Sequence, residues 1–228
     1  LFQLCHETSV DEIADIGTAE INLVMRQEGL PAAEVLKNKF DMPFVVSAPY
    51  GYAATLTWLE EVGKILGQLP DVKMCARLRL KAQNTASLKM YAMMMGRKKT
   101  PQAAVIGEYD LVKGLSAFLR SVGIDVKYKL CSHSLKSIVE PELDIQYISV
   151  EKEKIDILKK MQKTLVLADD VSHRLCDSGN VVVRVSAPFI DGAQIATHLP
   201  LLGEKGTDFL LETILSLIHI SEPTRLRR

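Results

Sequence analysis

The sequence predicts an α/β protein made of two Rossmann-like, parallel-sheet lobes, of which the first is truncated at its start. Short apolar runs alternate along the chain with helical patterns of apolar residues. The intervening lengths suit strand–helix–strand crossovers, which place parallel strands side by side under covering helices. A long, mostly helical stretch at residues 71–95 separates two series of such units, which indicates a connection between two lobes.

The first series contains two strand–helix units. The apolar run Ile21-Asn-Leu-Val24 predicts a strand, and Ala33, Leu36 and Phe40 have the spacing of a following helix. A second strand is predicted at residues 42–49. Apolar residues at helical spacing then predict an amphipathic helix: Leu56, Leu59, Val62, Ile65 and Leu69. We therefore assign residues 1–98 to the first lobe and its connecting helix.

The second series has the same alternation and occupies residues 99–214. Strands are predicted at residues 103–107, 126–130, 145–150, 164–168 and 181–186. Helices are predicted at residues 111–122 and 154–161, in a short segment after residue 168, and from residue 207 onward. Alternation of this kind is typical of a parallel sheet covered on both faces.

Both ends of the chain have unusual sequence. Leu1 is not an initiator Met and opens an apolar stretch that resembles a strand entered partway, so we expect an N-terminal part to be missing. Residues 215–225 match one translated frame of a transposon-derived sequencing adapter. We expect residues 215–228 to be an adapter-derived tail; the alternative is a genuine helix end with a basic tail.

Composition favours a soluble, cytoplasmic protein. The 28 basic and 28 acidic residues balance, so no overall field attracts nucleic acid or an anionic membrane. The four cysteines are far apart and form no C-x-x-C pair, which indicates reduced thiols without a metal site of their own. No apolar run approaches the roughly 20 residues of a membrane span.

Candidate binding residues lie where strands end, because ligands of open parallel sheets sit beyond the carboxyl ends of the strands. The predicted cofactor-binding residues follow the first two strands or begin the last helix, and no metal ligand is predicted among them: Arg26, Gln27, Tyr50, Gly51, Gly203 and Gly206. Amides around Gly203 and Gly206 could approach an anion at a helix N-terminus, or the segment could simply be a turn.

Other strand ends allow two interpretations each. Glu108 and Tyr109 follow a strand, but Gly107 lacks a glycine-rich phosphate motif around it. Asp169 and Asp170 could hold a divalent ion or act in acid–base chemistry, whereas an Asp before a short helix more often caps it.

Two further groups of residues also allow both a functional and a structural interpretation. Cys131 and His133 would share a face of a strand, as a nucleophilic or metal-binding pair or as ordinary packing residues. The basic residues of the connecting helix could contact phosphate or form a solvated face: Arg77, Arg79, Lys81 and Lys89.

The order of several short motifs resembles the nitrogenase component 1 family. Asn22-Leu-Val24, Met42-Pro43 and Pro49-Tyr-Gly51 resemble the family's second domain. Ala104-Val-Ile-Gly-Glu108, Val166-Leu-Ala-Asp-Asp170 and residues 198–206 before a helix resemble its third domain. The resemblance spans most of residues 12–213 and implies the later part of one subunit.

The resemblance implies a two-component oxidoreductase in which an ATP-dependent iron–sulfur reductase passes electrons to paired homologous or identical subunits. An iron–sulfur cluster is expected at a subunit interface, with its ligands in the family's first domain, outside this chain. Arg26 aligns with the place of nitrogenase's cofactor-ligating cysteine, and the place of its cofactor histidine falls near Leu202, just before Gly203. Neither side chain can coordinate a metal, so we expect an oxidoreductase that does not fix nitrogen.

Arg26 instead suits a carboxylate-rich substrate such as a tetrapyrrole, unless it is simply an exposed residue after a strand. Two other functions remain open from the sequence: a non-catalytic scaffold for metallocofactor assembly, and a binding protein for a metal chelate in a cleft between lobes.

Overall fold

The structure, a computed structural model, describes residues 8–94, 102–133, 135, 138, 142–188, 190 and 201–220. The apolar stretch at residues 1–5 and the basic segment at residues 96–100 lie outside these ranges. No helix in the described ranges is both long and apolar enough to cross a lipid bilayer.

Within the described residues, the first lobe contains two short parallel strands and four α-helices. Its elements in chain order are α1 (Val10–Asp15), β1 (Asn22–Val24), α2 (Leu30–Phe40), β2 (Phe44–Val46), α3 (Tyr52–Leu66) and α4 (Val72–Met94). β1 pairs with β2 in parallel, with Asn22 opposite Phe44, and α2 forms the crossover between them. Both predicted strand–helix units are therefore present.

The described part of the second lobe contains a five-stranded parallel sheet and four helices. Its elements are β3 (Gln102–Gly107), α5 (Tyr109–Ser121), β4 (Asp125–Cys131), β5 (Gln146–Tyr147), α6 (Glu151–Lys160), β6 (Thr164–Ala168), α7 (Asp170–Leu175), β7 (Val181–Arg184) and α8 (Gly203–Ile220). The strand order is β5-β4-β3-β6-β7. The chain moves outward from β3 to β5 and returns to the other side of β3, so the order reverses between β3 and β6.

The core of the second lobe covers both faces of this sheet. Ala103 and Val105 of β3 pack in a buried cluster that includes Leu115 of α5 and Leu210 of α8. Ala104 and Ile106 point to the opposite face, where they pack in a cluster with Leu158 of α6 and Met161. A parallel sheet needs such two-sided burial because its strands are apolar on both faces. The predicted α/β class with two parallel-sheet lobes is confirmed.

Helix α1 was not predicted from the periodicity of the sequence. Its apolar residues Val10 and Ile13 are exposed, so they provide no buried stripe. It begins with a capping box: the Glu12 amide donates to Ser9 Oγ at 3.2 Å, and the Ser9 amide donates to Glu12 Oε2 at 2.8 Å. The S-x-x-E pattern at residues 9–12 was the available signal.

Ion pairs fix α4 to its neighbours. Arg77 donates two hydrogen bonds of 2.8 Å to Glu204 of α8. Lys81 Nζ lies 2.8 Å from Asp208, and Arg79 pairs with Glu60 of α3 at 2.7 Å. Each of these three cations therefore has a carboxylate partner within the chain, which favours the structural interpretation of these residues over phosphate contact. The side chain of Lys89 lies outside the described part of the structure.

Helix α8 runs to Ile220, six residues past the predicted domain boundary at residue 214. Residues 221–228 are outside the described ranges. A helical backbone at residues 215–220 does not distinguish an adapter-derived tail from a genuine helix end, so the boundary and the tail stay predictions.

Candidate binding crevice between the lobes

Residues that follow the carboxyl end of β1 contact residues that follow the carboxyl ends of β3 and β4, and we call the region between these strand ends the crevice. Five ionisable side chains meet there, and we call them the crevice network: Arg26, Glu28, Glu108, Asp110 and His133. Arg26 and Glu28 follow β1, whereas the other three follow β3 and β4 in the second lobe. The network therefore joins the two lobes where parallel-sheet proteins bind ligands.

Arg26 lies between two carboxylates. Its Nη2 donates to Glu28 Oε1 at 3.0 Å, and its Nε lies 3.4 Å from Glu28 Oε2. Its Nη1 lies 2.6 Å from Glu108 Oε2 in the other lobe. The side chain remains 51% exposed. The hydrogen bond to Glu28 is the main cause of the raised pKa of Arg26, so the residue is a fixed cation.

Glu28 is held from both sides. Besides Arg26, it has His133 Nε2 at 3.1 Å from Oε1, a contact between the lobes. The hydrogen bond from Arg26 lowers the pKa of Glu28 to about 2; burial opposes this effect and the His133 contact reinforces it. Glu28 is therefore a carboxylate throughout the physiological pH range.

Gln27 contributes its backbone to the contact between lobes. Its amide donates to Asp110 Oδ2 at 2.7 Å. Burial raises the pKa of Asp110, and this hydrogen bond works in the opposite direction. The predicted binding residue Gln27 thus has its amide already engaged within the chain.

Tyr50 and Gly51 pack directly on α5. The space beside Gly114 is filled by the Tyr50 ring, because a Cβ added at Gly114 would lie 2.1 Å from Tyr50 Cδ2. Gly51 has φ +91° and faces Phe118. Burial, followed by the negative charges of Asp110 and Glu108, raises the pKa of Tyr50 to about 12. The phenol therefore stays protonated beside the crevice.

The two glycines of α8 adjoin the same segment. The Gly203 amide donates to the Pro49 carbonyl at 3.0 Å, and Gly203 has φ +73°. A Cβ at Gly206 would lie 2.3 Å from the backbone of Leu201. These contacts bring the start of α8 next to residues 49–51. Gly206 is required by close packing on Leu201, whereas the space beside Gly203 is open and its positive φ is what favours glycine there. The Gly203 amide is not free for an anionic ligand.

The six predicted residues thus lie in two neighbouring groups. Arg26, Gln27 and Tyr50 border the crevice, whereas Gly51, Gly203 and Gly206 shape the adjoining backbone. The sequence analysis missed Glu28 and Asp110, which lie two or more positions beyond a strand end. Asp110 is in the first turn of a helix, where an acidic residue is ordinary, so it carried no distinguishing signal.

Cys131 and His133 do not form a reactive pair. The Cys131 thiol is buried and lies 3.0 Å from the His133 carbonyl oxygen, while the imidazole contacts Glu28. Burial raises the pKa of Cys131, which disfavours the thiolate. The packing interpretation of Cys131 is therefore supported.

Asp169 and Asp170 have structural partners. Asp169 caps α7 by accepting from the Ser172 amide at 2.8 Å and from Ser172 Oγ at 2.9 Å, so the capping prediction is confirmed. Asp170 is buried, contacts Arg184 Nε at 2.5 Å and accepts from the Ile190 amide at 2.6 Å. This pair organises the ends of β6 and β7.

The described residues do not fit a resident metal cluster. They contain no group of three or more His, Cys, Asp or Glu side chains placed to hold a metal ion. Cys75, Cys131 and Cys176 are free thiols. Arg26 and Leu202 offer no metal ligand either, since neither side chain has a suitable lone pair.

Comparisons with known proteins agree on one family. The family model described as "Nitrogenase component 1 type Oxidoreductase" matches residues 2–219. The solved structure "Nitrogenase Cp1 at pH 6.5" superposes with a TM-score of 0.74 at 17% identity, covering 98% of this chain and 53% of that one. This likeness supports the fold.

Two curated relatives illustrate the range of the family. The nitrogenase iron-iron protein beta chain of Rhodobacter capsulatus is 26% identical over 91% of this chain and 47% of its own length. A light-independent protochlorophyllide reductase subunit of Methylocella silvestris is 24% identical over 90% of this chain and 41% of its own. The chain therefore spans less than half the length of these relatives.

Proposed function

Because the chain belongs to the nitrogenase component 1 type oxidoreductase family, we propose that it is part of one subunit of a nitrogenase-like, two-component oxidoreductase that does not fix nitrogen. In this proposal the subunit pairs with a homologous or identical second subunit. It accepts electrons from an ATP-dependent iron–sulfur reductase and delivers them to a substrate held beyond the strand ends.

The observation that carries the proposal is that position 26 is occupied by a paired cation, Arg26. The resemblance to the family assigns this position to a cofactor-ligating cysteine in nitrogenase. Here it holds a cation fixed between Glu28 and Glu108, with no lone pair to offer a metal. Leu202, near the place of the cofactor histidine, is equally unable to coordinate a metal. A nitrogenase-type active-site metal would have no protein ligand at either position.

Electron transfer requires redox groups such as metal clusters. The described residues do not provide the ligands to hold one. We expect the iron–sulfur ligands in the family's first domain, outside this chain, and no reaction step is assigned to the described cysteines. The chemistry that this chain contributes is binding and orientation of the substrate at the crevice.

Arg26 is the residue that we propose for substrate binding. A guanidinium has five N–H donors, of which Glu28 and Glu108 engage three here. Arg suits carboxylates because its planar donors match their two oxygens. The relatives named as protochlorophyllide reductase subunits support a tetrapyrrole with carboxylate side chains as the substrate class.

The test uses the complete subunit, expressed with its partner subunit and supplied with an ATP-hydrolysing iron–sulfur reductase. We expect MgATP-dependent change in the absorption spectrum of a tetrapyrrole substrate and no reduction of acetylene to ethylene. Acetylene reduction would contradict the non-nitrogenase proposal. A cluster-loaded complex with no ATP-dependent turnover would favour the assembly scaffold.

An Arg26→Ala variant tests the substrate-binding role separately from electron delivery. We expect weaker tetrapyrrole binding with an unchanged rate of ATP hydrolysis by the reductase. Unchanged tetrapyrrole affinity would remove Arg26 from substrate recognition and leave the reductase assignment to the turnover assay.

A further inference from the structure

We infer that Glu108 is an internal competitor for Arg26, and that it sets the affinity of the crevice for carboxylate ligands. It occupies the edge of the guanidinium that a ligand carboxylate would use. The inference rests on the substrate-binding role proposed for Arg26, and it assigns a specificity-determining role to a residue of the opposite lobe.

The two carboxylates beside Arg26 are held differently. Glu28 engages both Nε and Nη2 of Arg26 and has a second partner in His133. Glu108 contacts Arg26 through one oxygen, and among the described residues Arg26 is the partner of its carboxylate. Glu108 is also 47% exposed. Glu108 can therefore move away from Arg26 without leaving another charged side chain unpaired, because Arg26 keeps its contact with Glu28.

An exchange at this position has a low energetic cost. Ion pairs between half-exposed side chains contribute little net stability, because water solvates both charges when they separate. An incoming carboxylate would restore the same contact to Arg26 Nη1 while Glu108 turns to solvent. The reaction is a substitution of one carboxylate for another at a fixed guanidinium, with no change in covalent bonding.

The surrounding charge provides a second effect that must be separated from direct competition. Arg26 is accompanied by three carboxylates, those of Glu28, Glu108 and Asp110, so the local field disfavours any anion. Asp110 belongs to the same crevice, but its carboxylate accepts from the Gln27 amide. Removing the Asp110 charge changes the field without vacating the Glu108 contact on Arg26.

The experiment measures the dissociation constant of a porphyrin dicarboxylate for the full chain by fluorescence titration. We expect Glu108→Gln to tighten binding roughly twofold to fivefold, the range set by the modest strength of exposed ion pairs. The matched control is Asp110→Asn, which removes the same charge and keeps an acceptor for the Gln27 amide. We expect it to have a smaller effect than Glu108→Gln.

Two further measurements make the result decisive. The dimethyl ester of the same porphyrin, which lacks free carboxylates, should bind equally to the original chain and to Glu108→Gln. In an Arg26→Ala background, Glu108→Gln should bring no gain. Far-UV circular dichroism of each variant shows whether the fold is retained.

Equal gains from Glu108→Gln and Asp110→Asn would overturn the inference, because they would indicate a general field effect. So would a Glu108→Gln gain that persists without Arg26, or no gain at all. The titration requires no turnover. An inactive reductase assay with an intact Glu108→Gln gain would therefore reject the enzymatic proposal alone.

Discussion

Tyr50 packs against the second lobe at Gly114, where the absence of a Cβ leaves room for its ring. Gly114 lies in α5, and the Tyr50 ring occupies the space that a side chain at position 114 would fill. Tyr50 is close in sequence to the first lobe's strands, whereas Gly114 belongs to the second lobe. The contact is a direct steric fit between the lobes, next to the crevice network.

We expect Gly114→Ala to destabilise the protein by about 1–3 kcal/mol, since the new Cβ would meet Tyr50 Cδ2 at 2.1 Å and force the ring to move. The higher helix propensity of Ala offsets part of this cost. Urea unfolding measures the change. Gly179→Ala is the control, because an added Cβ there has its nearest neighbour at 3.7 Å. Equal stability of the two variants would refute the proposed fit.

At the scale of elements, α4 and α8 are joined by a cluster of charges. Arg77 and Lys81 of α4 face Glu204 and Asp208 of α8, and the Tyr52 hydroxyl donates to Asp208. The hydrogen bond from Arg77 is the main cause that lowers the pKa of Glu204 to about 2. Both helices are thereby held beside α3.

The lowered pKa of Glu204 predicts a pH dependence of stability. A carboxyl group with a depressed pKa in the folded state stabilises the protein above its unfolded pKa of 4.5 and loses this contribution as the pH falls toward 2. We expect Glu204→Gln to lower the free energy of unfolding at pH 7 by about 0.5–1 kcal/mol, after allowance for solvent screening. The variant should also lose less stability than the original chain between pH 5 and pH 2.

The measurement is urea unfolding at several pH values. Other carboxyl groups with a lowered pKa remain in the variant and contribute residual pH dependence, among them Glu28, with a pKa of about 2, and Asp208. Glu60→Gln is the matched control. It removes a carboxylate of α3 that is paired with the exposed Arg79 of α4, the helix that also carries Arg77. Parallel pH profiles for the original chain and Glu204→Gln would contradict the assigned role of Glu204.

The elements themselves were largely predictable, because each depends on local patterns of apolar residues. The fully buried run Thr164–Ala168 and the helical spacing in α5 appear directly in the sequence. The short helix α1 was missed because its signal is a polar capping box and its apolar residues are exposed. Periodicity reports burial, so it does not detect an element without a buried face.

At the scale of the whole molecule, the binding crevice depends on contacts between residues distant in sequence. Glu28 and His133 are 105 positions apart, and Gln27 and Asp110 are 83 apart. The strand-end rule placed Arg26 and Gln27 at the crevice, but it could not show that their partners would come from the other lobe. Pairing across such distances depends on how the lobes pack, which local patterns do not encode.

These contacts predict that the lobes unfold together. Trp58 of α3 is the single tryptophan of the chain and reports on the first lobe, whereas far-UV circular dichroism reports on both. We expect the urea transitions followed by Trp58 fluorescence and by circular dichroism to have coincident midpoints, as a cooperative two-state transition requires. A Trp58 transition at lower urea concentration would show that the first lobe unfolds independently.

The hydrogen bond from Gly203 to Pro49 also bears on how such a chain could be recombined with its relatives. Helix α8 contributes Leu210 and Ile214 to the core of the second lobe, and its first residue binds a carbonyl of the first. A crossover between homologous genes in the connecting segment would join residues 49–51 from one parent to a helix start and a position 114 from another. Only parents that share the contacts of Gly203 with Pro49 and of Tyr50 with Gly114 would yield well-packed chimeras. The two lobes should therefore be inherited together from one parent.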